Sequence, residues 1–474
     1  MPHAASRPAP LARAAIGAVC VLSSLAVAPG LGAQAPAVPA WAAALDSAVT
    51  AELTRTRTPG AQVAVVVDGR VAYSRGYGVA DVETGRAVTP RTLFRVGSVT
   101  KMFTAALLAQ LAAEGKLDLQ APIGRVVPEL TGRKVGTVTT HQLLTHAAGW
   151  LDNAVAYGRM GESALGEVMR EVGDTMFFTE PGRVMSYSNP GFSMAGYVAE
   201  VAGKGRFGNL LEERVLRPTG MPRATLRPLA AMTQDFSQGH IGQPGNPGAI
   251  VRPFTENTAQ WAAGFLFSSA EEVARFAIML MDGGTIDGQR VLAEDAVRAM
   301  TTGHQVLAGT TARYGYGLRV ETRDGQRVWS HGGAINGFDA MVTMFPDRKV
   351  AVVVLDNRGG APLVGLTDLV ARAVGAPPAP APATPAERIG TAAERAQVVG
   401  TYAQGRTSVR IVEAEGELRL LQGTEREPVR LAGDDRIVVG TGDDAQTLFL
   451  VRGPDGRVAY LSVSSRALAR QPER

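Results

Sequence analysis

Two short runs, residues 62–67, apolar throughout after Gln62, and residues 71–75, flank Asp68-Gly69, which predicts an antiparallel hairpin closed by a two-residue turn. Residues 41–57, just before it, have helical spacing instead. Residues 102–111 are apolar nearly throughout, and the helix they predict stops at Gly115. Further on, residues 316–321, 327–330, 339–345 and 350–355 read as a second strand series with turns at Asp324-Gly325 and Pro346-Asp347. Residues 362–374 read as a closing helix, with Pro362 tolerated in its first turn. Both periods in one stretch, with strands joined by short turns, predict an α+β unit built on an antiparallel sheet.

That unit ends at a composition change. Residues 375–386, GAPPAPAPATPA, form an extended, semi-rigid linker. Beyond it, residues 408–412, 417–421, 447–451 and 458–463 alternate between apolar and polar and are separated by Gly and Asp turns, the pattern of a small all-β unit. Solenoid-type repeats are absent. At 474 residues the chain exceeds what one core usually encloses, roughly 300 residues at most, so two folded units are expected.

The start of the chain reads as an export signal. Arg7 and Arg13 precede an apolar run over residues 14–28 and the small residues around Ala33, which predicts cleavage after residue 33 and a periplasmic or secreted product. That run is shorter than the roughly 20 residues a membrane-spanning helix needs, and no later run is long enough either. The organisation expected is therefore a signal at 1–33, a main unit at 40–375, a linker at 376–390 and an accessory all-β unit at 391–474.

Charge and cysteine content narrow the chemistry. The net charge of +4 falls by two if Arg7 and Arg13 leave, and the basic residues are scattered, so no nucleic-acid partner is expected. Cys20, the only cysteine, lies inside the signal, which removes disulfides, thiolate metal sites and cysteine nucleophiles from the mature chain. His141 and His146 are five apart and no H-E-x-x-H occurs, so no metal site is expected and the two histidines are assigned to packing or helix capping. Gly76-Tyr77-Gly78 lacks the third glycine of a dinucleotide site, and no P-loop occurs, so no cofactor is expected. Nor is there a G-x-S-x-G elbow: Gly191 to Gly196 contains one residue too many.

Three elements carry candidate chemistry. Ser98-Val99-Thr100-Lys101 opens the apolar helix, so the i, i+3 spacing puts a hydroxyl and an amine on one face where helix N–H groups favour developing negative charge. A serine hydroxyl needs a base, and a desolvated lysine can act as one. Tyr187-Ser188-Asn189 lies between Pro181-Gly182 and Pro190-Gly191, hence on a sharp turn, where a phenol beside an ammonium would have a lowered pKa and could move a proton, and the Asn189 amide could hold a substrate carbonyl. His331-Gly332-Gly333 ends a strand, where the glycines permit close approach of a substrate backbone and the N–H near Ala334, with that of Ser98, could form an oxyanion hole.

In this order and spacing, with Phe94 to Gly97 before the serine, His141 to His146 and Gly149 after it, and Tyr314 to Gly317 before the histidine, the chain resembles the serine β-lactamase and penicillin-binding protein superfamily, in its class C and DD-peptidase branch. The resemblance covers residues 44–375. It implies a two-lobed fold, an antiparallel sheet flanked by helices plus a helical part, with a small β domain following. It also implies acylation of Ser98, Lys101 and Tyr187 as the general-base pair, and substrate contacts from Asn189, His331, Gly332, Gly333 and Ala334. Small-molecule or peptide substrates, cell-wall-derived ones among them, and esters suit this chemistry. Class C β-lactamases usually carry Lys-Thr-Gly where this chain has His331-Gly332-Gly333, and a neutral histidine selects a substrate carboxylate less well than a lysine. Little or no β-lactam turnover is therefore expected, with a peptidase or esterase preferred. A receptor-like protein that is acylated without turnover would carry the same motifs.

Overall fold

The computed structural model describes residues 39–472, apart from 156, 244–245, 361–362, 380–385, 434 and 443–444. The expected signal therefore lies outside the described residues.

A nine-stranded antiparallel sheet organises the main unit. Its strands run in the order Gln305–Val306, Arg313–Tyr314, Arg319–Arg323, Gln326–Ile335, Phe338–Phe345, Val350–Asp356, Gly60–Val67, Arg70–Asp81 and Arg86–Ala87. First and last sheet segments in sequence meet at its centre, Val63 opposite Val354 and Val65 opposite Val352. These central strands are apolar almost throughout because both faces of the sheet are covered. Ala61, Val63, Val65, Val350, Val352 and Val354 pack under the helices Ala42–Thr56 and Leu363–Ala373. Ala64, Val66, Ala351, Val353 and Leu355 face the larger core on the other side.

That larger core contains the helical part. The helix Thr100–Ala113 is buried on almost every side, from Thr100 to Ala109 and again at Leu111, which is why its sequence is apolar all round. It packs against the helices Asn189–Gly203, Trp261–Gly264 and Glu294–Thr301, so the residues at its start are held where helical part and sheet meet.

Eight antiparallel strands from Gly400–Gln404 to Arg466–Arg470 close into a barrel, Tyr402 pairing with Arg470 to seal it, over a core of its own that includes Tyr402, Ile411, Leu418, Ile437 and Leu461. All four of its sequence-predicted strands are present, with four more between and around them.

Two strands differ from expectation. The segment 316–321 is a strand only at Arg319–Arg323, because the chain first turns at Gly317, packed against the carbonyl of Lys101. His331-Gly332-Gly333 does not end its strand: Gln326–Ile335 continues through it, paired to Phe338–Phe345 from Trp329 to Ile335. The neighbouring strand Arg319–Arg323 pairs only as far as Ser330, so the other edge of residues 331–335 has no strand on it.

Candidate active site

A single 3-10 turn, Gly97–Val99, precedes the helix Thr100–Ala113 and carries Ser98. The Thr100 hydroxyl fixes this turn, donating to Gly97 O at 2.7 Å and accepting from Leu266 N at 3.1 Å. One helical turn on, Lys101 is fully buried, and its Nζ has three oxygen neighbours: Ser98 Oγ at 3.1 Å, Asn189 Oδ1 at 2.7 Å and Ala263 O at 2.6 Å. Burial pushes the Lys101 pKa well below its ordinary value of 10.5, with the Asp152 carboxylate pulling it back and Arg466 opposing that pull. As a neutral amine, Lys101 has two N–H bonds for the two acceptor-only oxygens and one lone pair for the Ser98 hydroxyl, which fits the three neighbours it has.

Tyr187 sits beside this pair, its ring centroid 4.8 Å from Lys101 Nζ and its hydroxyl hydrogen-bonded to Ser98. Burial pushes the phenol pKa up rather than down. The sequence reading expected a lowered value from an adjacent ammonium; burial, which also removes the ammonium's charge, outweighs that effect. Tyr187 is thus a protonated phenol. Asn189 begins the helix Asn189–Gly203, whose N-cap is Ser188. Its Oδ1 accepts from Lys101, while its N and Nδ2 donate to Asp152 Oδ1 at 2.9 and 3.1 Å. Both ends of the amide therefore have partners inside the protein.

His146 braces Tyr187 from behind. It has a left-handed backbone, φ 56°, and its O accepts from Ser186 N at 2.8 Å while its Nδ1 accepts from Ser188 N at 3.1 Å. The imidazole lies 4.2 Å from the Tyr187 ring. Burial pushes its pKa well below 6.5, so it is neutral. The packing role expected for His146 holds, at a position that brackets the catalytic candidate on three sides.

At the third motif, His331 is buried, with Nε2 2.8 Å from the Tyr314 hydroxyl and Nδ1 2.5 Å from Gly332 O. The carbonyl can only accept, so the proton is on Nδ1 and Nε2 accepts from Tyr314. Burial, with Lys101 adding to it, pushes the His331 pKa down to about 3, so this motif presents no cation. Next to it, the strand and the serine turn touch backbone to backbone. A Cβ on Gly97, whose φ is 50°, would lie 2.6 Å from Ala334 N, and one on Gly333 would lie 2.0 Å from Val96 O and 3.0 Å from Ser98 N. The N–H groups of Ser98 and Ala334 are neighbours for this reason.

The barrel also reaches this site. Its Ser464-Ser465 turn places Ser465 O on Tyr187 N at 2.9 Å. Ser186 Oγ accepts from Gln404 Nε2 and Ala467 N, and the Tyr460 and Thr179 hydroxyls are 2.7 Å apart. Arg466 donates to Asp152 Oδ2 from Nε at 2.8 Å and from the terminal nitrogen at 2.5 Å. Its guanidinium also lies 5.2 Å from the Tyr187 ring centroid.

Ser98, Lys101, Tyr187, Asn189, His331, Gly332, Gly333 and Ala334 thus fall in one region. His146 and Tyr314, which lie in stretches that carry the resemblance but were given no role at the site, join them, and Asp152 and Arg466 were not anticipated there. Among the described residues, no cluster of three or more His, Cys, Asp or Glu side chains could hold a metal, and no helix is long and apolar enough to cross a membrane.

The fold is the β-lactamase/transpeptidase type, with an eight-stranded barrel appended. The Beta-lactamase family model matches residues 45–376, and the chain belongs to that family. A D-aminopeptidase of Gluconobacter oxydans is 29% identical over 385 residues, 80% of this chain and 70% of that one. Penicillin-binding protein 4 of Amycolatopsis lactamdurans is 29% identical over 336 residues, 68% and 86% of the two chains. A crystal structure of SurE with D-Leu superposes with a TM-score of 0.76 at 28% identity, covering 91% of this chain and all of that one.

Proposed function

We propose that the chain is an exported serine hydrolase that forms an acyl-enzyme on Ser98 with amide, peptide or ester substrates, those with a D-configured residue at the scissile bond foremost. The observation that carries this reading is the fully buried Lys101 Nζ 3.1 Å from Ser98 Oγ, its pKa lowered by burial toward that of a base. D-configured substrates are favoured because the relatives include a D-aminopeptidase and a SurE crystallised with D-Leu.

The steps follow from the geometry. Ser98 Oγ attacks the carbonyl carbon and passes its proton to Lys101 Nζ, while the N–H groups of Ser98 and Ala334 take the oxyanion. The C–N or C–O bond then breaks, and the leaving group takes a proton from the Tyr187 hydroxyl, refilled from Lys101. Water attacks the acyl carbon and gives its proton to the same pair, which passes it to Ser98 Oγ as the acyl C–O bond breaks, releasing the acid and restoring the free hydroxyl. The unpaired edge of residues 331–335 suits an extended substrate backbone lying along it. Asn189 orients Lys101, and His331, Gly332 and Gly333 form the wall of the cleft.

The test is turnover of a nitrophenyl acetate and of paired D- and L-alanine p-nitroanilides, with mass analysis of the Ser98 peptide. Steady turnover, acetyl on Ser98 and a D-over-L preference are expected. A Ser98 peptide that never carries acetyl sinks the reading, and an acetyl burst without turnover moves it to an acylated receptor. A chromogenic cephalosporin should be turned over poorly beside the ester. Because His331 offers no charge, His331→Lys should raise cephalosporin turnover relative to ester by about tenfold, the worth of ~1.4 kcal/mol of carboxylate contact. An unchanged ratio would remove charge at this motif as the reason.

A further inference from the structure

Resting on that reading, we infer that the barrel is a working part of the catalytic site and that Arg466 is its positioning residue: it cancels the charge of Asp152 and pins the Tyr187 loop, so that Lys101 meets Ser98 as a base.

Two independent features of the geometry carry this. The first is a chain of contacts running from the barrel to the nucleophile. Arg466 binds Asp152 Oδ2, Asp152 Oδ1 accepts from the Asn189 amide, Asn189 Oδ1 accepts from Lys101 Nζ, and Lys101 reaches Ser98 Oγ. The Asp152 side chain is only 6% exposed, so without Arg466 its charge would face the buried amine with little water to screen it. The second is the turn that presents Arg466. Ser464 and Ser465 both have left-handed backbones, φ 46° and 65°, where a two-residue hairpin favours Asn or Gly. Such strain is stored at functional positions, and here Ser465 O receives the N–H of Tyr187 itself.

The groups facing Lys101 come from every element around it: Ser98 and Ala263 O, Tyr187, Phe192 and Asn189, then Asp152, Arg466, His146 and His331. His146 and His331 are neutral, so Asp152 and Arg466 are the only formal charges in that set. Asp152 favours the ammonium and Arg466 disfavours it.

The experiment is the pH profile of kcat/KM for nitrophenyl acetate in the full chain. The acid limb marks the loss of the neutral base, so an uncovered Asp152 should move it up in pH and an uncovered Arg466 should move it down. Arg466→Gln should therefore shift the limb up by about 0.5–1 pH unit, Asp152→Asn should shift it down, and the double variant should return it close to its original position. If Arg466→Gln does not fold, the downward shift in Asp152→Asn carries the test alone. Variants that lower kcat/KM by one factor at every pH, with the limb unmoved, would overturn the inference while leaving a Ser98-dependent hydrolase standing. No Ser98-dependent turnover in the unaltered chain would remove the hydrolase reading, and this inference with it.

Discussion

Lys101→Met should lower kcat/KM for nitrophenyl acetate by about 10² to 10⁴-fold while the protein stays folded. Methionine keeps most of the lysine stem's volume in a site that is 0% exposed, so the helix Thr100–Ala113 keeps its packing. What disappears is the lone pair facing Ser98 Oγ, and with it the proton acceptor. The stability cost is bounded by two opposing terms. Asn189 Oδ1 and Ala263 O lose their donor, about 1–3 kcal/mol for each buried orphan, and the desolvation of a buried amine is relieved. The pH dependence adds a signature. Lys101 is held neutral when folded but takes a proton when unfolded, so it makes the native state more stable as pH rises between its lowered folded pKa and about 10.5. The melting temperature should climb less steeply over that window in Lys101→Met. A variant that keeps wild-type activity would show that Lys101 is not the base, and an unchanged slope would show that it is charged in the folded state.

Why so much of this site could be read from the chain is a matter of distance along it. Ser98 and Lys101 are three residues apart on one helix, so secondary structure alone puts them together, and Tyr187 to Asn189 is bracketed by prolines and glycines that declare a turn. Arg466 lies 314 residues from Asp152, and nothing local marks it: it follows two serines in a short strand whose sequence, RALAR, carries little β signal. The strand Glu425–Leu431 was likewise hidden by its charges, exposed over the first three residues, and by Pro428, which is tolerated because it lies beyond the last pair with the next strand, Val429 opposite Val439. For His146, the signal lay in the backbone. Its left-handed φ bends the chain so that its own carbonyl and ring both reach the Tyr187 loop, which no side-chain pattern reports. The strand through His331 continues past the glycines because its pairing with Phe338–Phe345 runs on to Ile335, and at Gly333 the close approach of the serine turn requires a residue without a side chain.

That last point gives the sharpest contrast between two neighbouring substitutions. Gly333→Ala should lower kcat/KM by about 10² to 10³-fold, the range seen when an oxyanion-hole donor is lost. The added Cβ would lie 2.0 Å from Val96 O and 3.0 Å from both Val96 C and Ser98 N, all of them backbone atoms with no rotamer to yield. Val96 is further tied down, its N donating to Leu266 O and its O accepting from Val99 N. Relief therefore requires strand and turn to part by about 1 Å, a displacement that takes the Ala334 N–H away from that of Ser98. Overpacking of this kind costs about 1–3 kcal/mol, a fall of several degrees in melting temperature for a chain of this size, so the variant folds and its kinetics can be measured. Gly332→Ala adds the same methyl one residue earlier, on the opposite face of the strand, where its nearest neighbour is the flexible end of Met341 at 3.2 Å. It should cost less than about tenfold, because Met341 can turn aside while the backbone stays in place. Equal losses in the two variants would show that the motif needs glycine for strand flexibility, and the close approach of strand to serine turn would then not be what sets the rate.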